Sequence, residues 1–246
     1  MDIFFEIHKN LPREGPGDPE STLKALSFIP ELPEEGKILD IACGPGMQTM
    51  DLAGSTRAKI EALDTHQPFI EVLEKKILEA GLSHRIQTRK HSMFNLDYKE
   101  GSFDLIWSEG AIYIMGFEKG LKEWKKYLKP GGHLAVSEVS WLKKEISNEP
   151  RAFWGKHYPE IGTISKNIKI IEHSGYVPVA HFILPEKSWW KFYYTPMIQR
   201  IEELRMEHQG KPDWEHALEE ELEEVELFRN YGAEYGYVFY IMKKIH

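Results

Sequence analysis

Lys37-Ile-Leu-Asp-Ile-Ala-Cys-Gly-Pro-Gly46, followed by Ala62-Leu-Asp64, decides how this chain reads. An apolar run ends in the acid Asp40, a glycine-containing turn follows, and the next segment can form a helix. One strand later a second apolar run ends in Asp64. That is the layout of a nucleotide-binding βαβ unit, in which the turn lets a ligand approach the backbone and the second acid grips a ribose. The glycines do not follow the Gly-x-Gly-x-x-Gly spacing, which speaks against a dinucleotide.

Outward from this unit, the pattern alternates. Residues 21–28 read as a short first helix behind Gly15-Pro-Gly-Asp-Pro19. Strands are expected at 38–41 and 60–63, with a helix starting at 48–53 between them. Pro68 opens the next helix, with Phe69, Val72, Leu73, Ile77 and Ala80 on one face and Gly81 as a stop. Further strands are expected at 85–88, 103–107 and 133–137. A helix carrying Phe117, Leu121, Trp124 and Leu128 ends at Pro130-Gly-Gly132. Two late apolar runs, 179–184 and 237–242, complete an α/β fold: a seven-stranded, mostly parallel sheet with helices on both faces. Ligands belong at the carboxyl ends of such strands. The chain reads as a single domain over 1–246, with 186–235 a mainly helical insertion before the last strand. One stripe in it, Trp214, Leu218, Leu222, Val225 and Phe228, is apolar.

Composition narrows the partners. With 246 residues, 41% hydrophobic and 12% aromatic, the chain matches an ordinary globular protein. The first residues show no basic region followed by a long apolar stretch, and no apolar run approaches the roughly 18 residues of a membrane helix. A cytoplasmic location, away from membranes, is the default expectation. The single cysteine, Cys43, excludes an intrachain disulfide and a multi-cysteine zinc site, and the 11 histidines show no metal-site pairing. No metal is expected. Most of the net charge of −8 is local: residues 186–226 hold 5 Lys/Arg against 12 Asp/Glu. Such a surface repels phosphate backbones, so nucleic acid is an unexpected partner. A homodimer stays open.

The motifs resemble those of class I S-adenosylmethionine-dependent methyltransferases. Residues 38–46 are similar to motif I and Leu63-Asp-Thr65 to the end of motif II. Arg89-Lys-His-Ser-Met-Phe-Asn-Leu96 resembles the segment lining the adenine. Gly101-Ser-Phe-Asp-Leu-Ile-Trp-Ser108 and Leu128-Lys-Pro-Gly-Gly-His-Leu134 resemble the later signatures. The nearest flavour is the small-molecule branch that includes quinone-biosynthesis methyltransferases. One departure is Ala42, where many members carry glycine; it is harmless provided the backbone there has negative φ.

The resemblance implies S-adenosylmethionine as cofactor and a small-molecule methyl acceptor. Backbone around Ala42, Gly44 and Gly46 would face the methionine part, with Asp40 reaching its ammonium directly or through water. Asp64, followed by Thr65, would accept from the ribose hydroxyls. Ser92 and Met93 would flank the adenine, and Ser108 and Glu109 would close the site. Arg13 would reach the cofactor's carboxylate if the N-terminal arm folds over it; otherwise that arm is solvated. Tyr113 and Glu109 lie beside the reactive methyl, each either functional or merely packing. The stretch Glu109-Gly-Ala-Ile-Tyr113 lacks the Asn/Asp-Pro-Pro-aromatic motif of enzymes acting on adenine or glutamine. After the fifth strand come Glu138, Trp141, Phe153, Trp154, His157 and Tyr158, where acceptor pockets form; His157 is the best histidine for a general base. Two other readings share the βαβ unit: a non-catalytic binder of the same cofactor, and a nicotinamide-dependent oxidoreductase.

Overall fold

A computed structural model describes residues 3–245; Met1, Asp2 and His246 lie outside the described residues. The chain opens with α1 (Ile3–Ile7), a folded arm, and α2 (Pro19–Ser27). It continues through β1 (Lys37–Ile41), α3 (Met47–Ser55), β2 (Lys59–Asp64), α4 (Gln67–Glu79), β3 (Ile86–Lys90), β4 (Phe103–Glu109) and α5 (Phe117–Lys125). Next come β5 (Leu128–Trp141), α6 (Asn148–His157), β6 (Gly162–Thr163), α7 (Ile164–His173) and β7 (Tyr176–Ile183). Then α8 (Lys187–Trp189), a π turn (Trp190–Tyr194), α9 (Thr195–Glu207) and α10 (Pro212–Tyr231) precede β8 (Tyr235–Lys244).

The strands assemble in the order β3-β2-β1-β4-β5-β8-β7, with β6 paired to the end of β5. Strands β1 to β5 are parallel, and β8 runs antiparallel between β5 and β7. The α/β class and seven-strand path match the sequence expectation, and the two-residue β6 is an addition. β1 and β4 are apolar almost throughout because they lie inside the sheet, covered on both faces.

Three details differ from the sequence pattern. Leu128 starts β5 instead of closing α5, and Pro130-Gly-Gly132 lies inside that strand. The register explains it. β5 pairs with β4 at Phe103↔Leu128 and again from Leu105↔His133, so the intervening residues bulge where proline has no donor to offer. Val72 faces solvent, while Ile70 joins Phe69, Leu73 and Ile77 on the buried face of α4. Tyr235, read as the end of the insertion, is the first residue of β8.

The insertion docks through aromatic stacking. Trp189 stacks on Phe228 at 4.0 Å, and Tyr194 and Tyr235 pack around the pair. Most of the large aromatics at its start therefore anchor it to the core. At the N-cap of α2, Asp18 accepts from the backbone N–H of Ser21 and from the hydroxyl of Ser188, which ties the insertion to the arm.

A second tie crosses from α10. His8 is buried, its Nδ1 3.0 Å from Glu14 and its Nε2 3.7 Å from Glu221. Burial works against a charge on His8, but the hydrogen bond to Glu14 and the negative charges of Glu14 and Glu221 outweigh it and lift its pKa to about 9. A folded-state value above the unfolded one means the contribution is full below the unfolded value of about 6.5 and is lost as pH rises through about 9. Denaturant unfolding should therefore lose stability across that window, by an amount on the order of 2 kcal/mol. A His8→Gln variant should flatten the profile; equal slopes in the two proteins would remove His8 from this role.

Candidate active site

β1 ends at Ile41 and the chain turns at once. Ala42, Gly44 and Gly46 all have positive φ, of 58°, 53° and 83°. At Gly46, which caps α3, a Cβ would lie 2.3 Å from Leu73 Cδ1, so only glycine fits. Ala42 is different. The condition that made alanine harmless there, a negative φ, is not met, and the left-handed backbone costs a residue with a Cβ about 1–2 kcal/mol. Asp64 fastens the turn to β2: its Oδ2 accepts from Gly44 N at 3.0 Å and its Oδ1 from His66 N at 2.9 Å.

A cavity of about 300 Å³ opens over this turn. Ala42, Gly44, Asp64, Thr65, Ser92, Met93, Glu109 and Arg13 line it, so the structure gathers most of the residues singled out in the sequence. Asp40, Gly46 and Ser108 stand behind the wall. Asp40 is fully buried, its Oδ2 accepts from Thr49 Oγ1 at 2.5 Å, and its Oδ1 has no partner. Burial pushes its carboxyl up to about 7. Asp40 is therefore set back from the cavity surface. Ser108 donates to the Ile41 carbonyl at 3.0 Å and holds β4 against β1. Cys43 is buried, and burial raises its thiol, so it serves the turn.

The arm is not solvated. Arg13 is 5% exposed, and its Nη2 lies 2.5 Å from Glu109 Oε2 at the end of β4. The chain wraps so closely that a Cβ on Gly17 would lie 2.3 Å from that same nitrogen. Glu109 Oε1 meanwhile accepts from Thr22 Oγ1 and Trp107 Nε1, each at 2.8 Å. Three donors occupy this carboxylate, which makes it a clamp for Arg13. Arg13 Nη1 and Glu14 Oε1 are buried without partners, and both residues line the cavity. Phe4, Phe5 and Glu14 also line it and were not singled out in the sequence, while His91 and Phe94 come from the 89–96 segment expected beside the adenine. Phe5 arrives by stacking on His66 at 3.7 Å, a contact across 61 positions of chain that no local pattern announces.

A second cavity, of about 230 Å³, abuts the first. The two share Glu14, Gly15, Gly110 and Tyr113. Beyond them the second is walled by Val139, Phe153, Trp154, His157, Tyr158, Tyr193, Glu224 and Tyr237, with Pro16 from the arm. His157 sits exposed at the rim, stacked on Phe153 at 4.4 Å. Trp141 and Glu138 do not line it. Glu138 is buried behind, beside Tyr158, and burial lifts it to about 8. Tyr113 packs edge-on against Tyr158 at 5.7 Å. Desolvation, then the carboxylates Glu224, Glu138 and Glu221, push its phenol up to about 12. At neutral pH it is a donor and not a base. Among the described residues no group of three or more His, Cys, Asp or Glu is placed to hold a metal. No helix there is long and apolar enough to cross a membrane.

The strand order with its antiparallel last strand, and a cavity at the carboxyl ends of β1, β2 and β4, define a class I methyltransferase fold. Residues 38–132 match the family described as a methyltransferase domain. Methyltransferase GfsG of Streptomyces halstedii is 30% identical over 104 residues, 42% of this chain and 37% of that protein. The ubiquinone/menaquinone biosynthesis C-methyltransferase UbiE of Geotalea daltonii is 26% identical over 121 residues, 48% of this chain and 50% of that one. The chain thus spans half or less of these relatives' length. Among solved structures, a methyltransferase of Geobacter sulfurreducens in complex with S-adenosylhomocysteine superposes with a TM-score of 0.82, covering 98% of this chain and 97% of that one at 16% identity.

The strain at Ala42 is open to measurement. Ala42→Gly should relieve about 1–2 kcal/mol of backbone strain against about 0.5–1 kcal/mol of added unfolded-state entropy. A small net stabilisation should appear in denaturant titration. A clear loss would mean that the methyl group packs better than its φ allows.

Proposed function

We propose that the chain is an S-adenosylmethionine-dependent methyltransferase acting on a small molecule by in-line displacement. One observation carries the reading: the cavity over the glycine turn and the aromatic cavity meet at Gly15, Gly110, Tyr113 and Glu14. A donor in the first and an acceptor in the second would have their reacting atoms at that junction.

The unpaired polar atoms fit this cofactor. Arg13 Nη1 suits its carboxylate, while Glu14 Oε1, and Asp40 Oδ1 through water, suit its ammonium group. Asp64, with lone pairs beyond the two used on the turn, would accept from the ribose hydroxyls. Ser92 and Met93 would flank the adenine, with Phe94 beside them. When bound, S-adenosylmethionine supplies a methyl group on a positively charged sulfur, so the chain's task is alignment and exclusion of water. Alignment alone can supply about 7–11 kcal/mol of a barrier. Glu109 holds Arg13 in place, and Tyr113 orients the acceptor through its hydroxyl. The insertion, residues 186–235, acts as a lid, since Tyr193 and Glu224 close the second cavity from that side. The printed name of the quinone-biosynthesis relative supports a small-molecule acceptor, and a cavity of about 230 Å³ suits a compact one.

Calorimetry should find binding of S-adenosylmethionine and S-adenosylhomocysteine but not of NAD. Asp64→Asn should weaken both by at least about tenfold, as expected when charge-assisted bonds worth about 1.5–3 kcal/mol are lost. Tight NAD binding in their place would overturn the assignment.

Tyr113→Phe keeps the ring and removes the hydroxyl. Turnover should fall about five- to tenfold while the cofactor dissociation constant stays unchanged, the loss of one hydrogen bond worth about 1–1.4 kcal/mol. Equal turnover in the two proteins would leave Tyr113 a packing residue.

A further inference from the structure

The lining of the second cavity is unbalanced in charge. Glu14 and Glu224 face it, and among the described residues no lysine or arginine does. The nearest cation, His8, stands behind Glu14 and Glu221 and is already committed to both. Glu224 accepts from Tyr194 Oη at 2.8 Å but has no ion-pair partner among the described residues. Burial lifts it to about 7, the state of a carboxylate waiting for a positive neighbour. The remaining wall is aromatic, with Tyr113, Phe153, Trp154, Tyr158, Tyr193 and Tyr237 offering ring faces and edges. Aromatic faces and buried carboxylates together favour a cation, and they offer an anionic acceptor no counter-ion.

Resting on the methyltransferase reading, we propose that the acceptor is a small primary or secondary amine. It is held as an ammonium ion in the second cavity and deprotonated onto Glu224. The step balances. One N–H proton moves to the Glu224 carboxylate, and the freed lone pair attacks the sulfonium methyl. A C–N bond forms as the S–C bond breaks, the sulfur leaves as a neutral thioether, and the product departs as a methylated ammonium. The proton on Glu224 then returns to solvent. The groups facing Glu224 belong to several elements: His8 on the segment after α1, Glu221 on α10, Tyr113 after β4, Tyr193 and Tyr194 on the π turn, and Tyr235 and Tyr237 on β8, with Glu14 of the arm in the same cavity wall. His157 stands across the cavity at its rim.

Benzylamine, benzyl alcohol and benzoate, of similar size and different charge, separate the possibilities on protein saturated with S-adenosylhomocysteine. Calorimetry should show benzylamine binding at least about tenfold more tightly than benzyl alcohol, and no binding of benzoate. At pH 6.5 the amine should release up to one proton, read from the dependence of enthalpy on buffer, because the arriving cation ionises Glu224. Glu224→Gln should abolish both the preference and the proton release while leaving S-adenosylhomocysteine affinity unchanged. Alcohol or benzoate binding as tightly as the amine, no binding of any probe, or a wild-type protein that releases no proton would overturn the amine assignment. Failure to bind S-adenosylhomocysteine at all would instead overturn the methyltransferase reading beneath it.

Discussion

The ion pair between Arg13 and Glu109 is the contact on which the site depends. Both side chains are almost wholly buried, at 5% and 1% exposure. Such a pair is retained only if its remaining polar atoms are satisfied, since desolvation of two charges rivals their attraction. Here Thr22 and Trp107 supply the extra donors to Glu109. The pair thus joins the N-terminal arm, α2 and the carboxyl end of β4 in one place. Removing either partner would leave a buried charge alone, typically a loss of about 3–5 kcal/mol, and would release the arm that forms one side of both cavities. Arg13 gives one nitrogen to this structural bond and keeps another unpaired at the cavity wall. One residue therefore anchors the arm and presents an unpaired donor beside the cavity.

The sheet was legible in the sequence because its strands are short apolar runs separated by glycine or proline punctuation. The turn from Ile41 to Gly46 and the acid at Asp64 could be read because their spacing is local and chemically demanding. β5 was harder. Its Pro130-Gly-Gly132 segment looks like a helix stop, and only pairing with β4 and β8 turns it into a bulge within a strand. α10 was legible as an amphipathic helix, but its acids read as one solvated face. Glu221 and Glu224 in fact turn inward, toward His8 and toward the aromatic cavity. Nothing within α10 separates them from Glu219, Glu220, Glu223 and Glu226, because the groups that receive them lie on other elements: His8 beside Glu221, and Tyr194 donating to Glu224. The same holds for Phe4 and Phe5, whose role exists only once α1 lies over α4.

The two cavities are also built from different material. The first rests on the carboxyl ends of parallel strands, where the backbone is held by ladders on both sides and the turn geometry is fixed by Gly46 and Asp64. The second is assembled from the arm, α6, the π turn and α10, packed edge to face through Trp154, Tyr235, Trp189 and Phe228. Aromatic packing of this kind is adaptable in detail, while the strand-end turn tolerates little change.

That division explains how far a family match can carry. Residues 38–132 include the turn, Asp64, the adenine-side segment, Glu109 and Tyr113. They exclude Arg13, Glu14, Trp154, His157, Tyr158, Tyr193, Glu224 and Tyr237. The shared stretch therefore specifies the floor of the first cavity, and the unshared stretches specify most of the wall of the second. Two chains alike over the first part can differ wholly in the charge and shape of the second cavity. The chemistry of the second cavity is set by its own carboxylates and aromatic rings, because those are the groups that wall it.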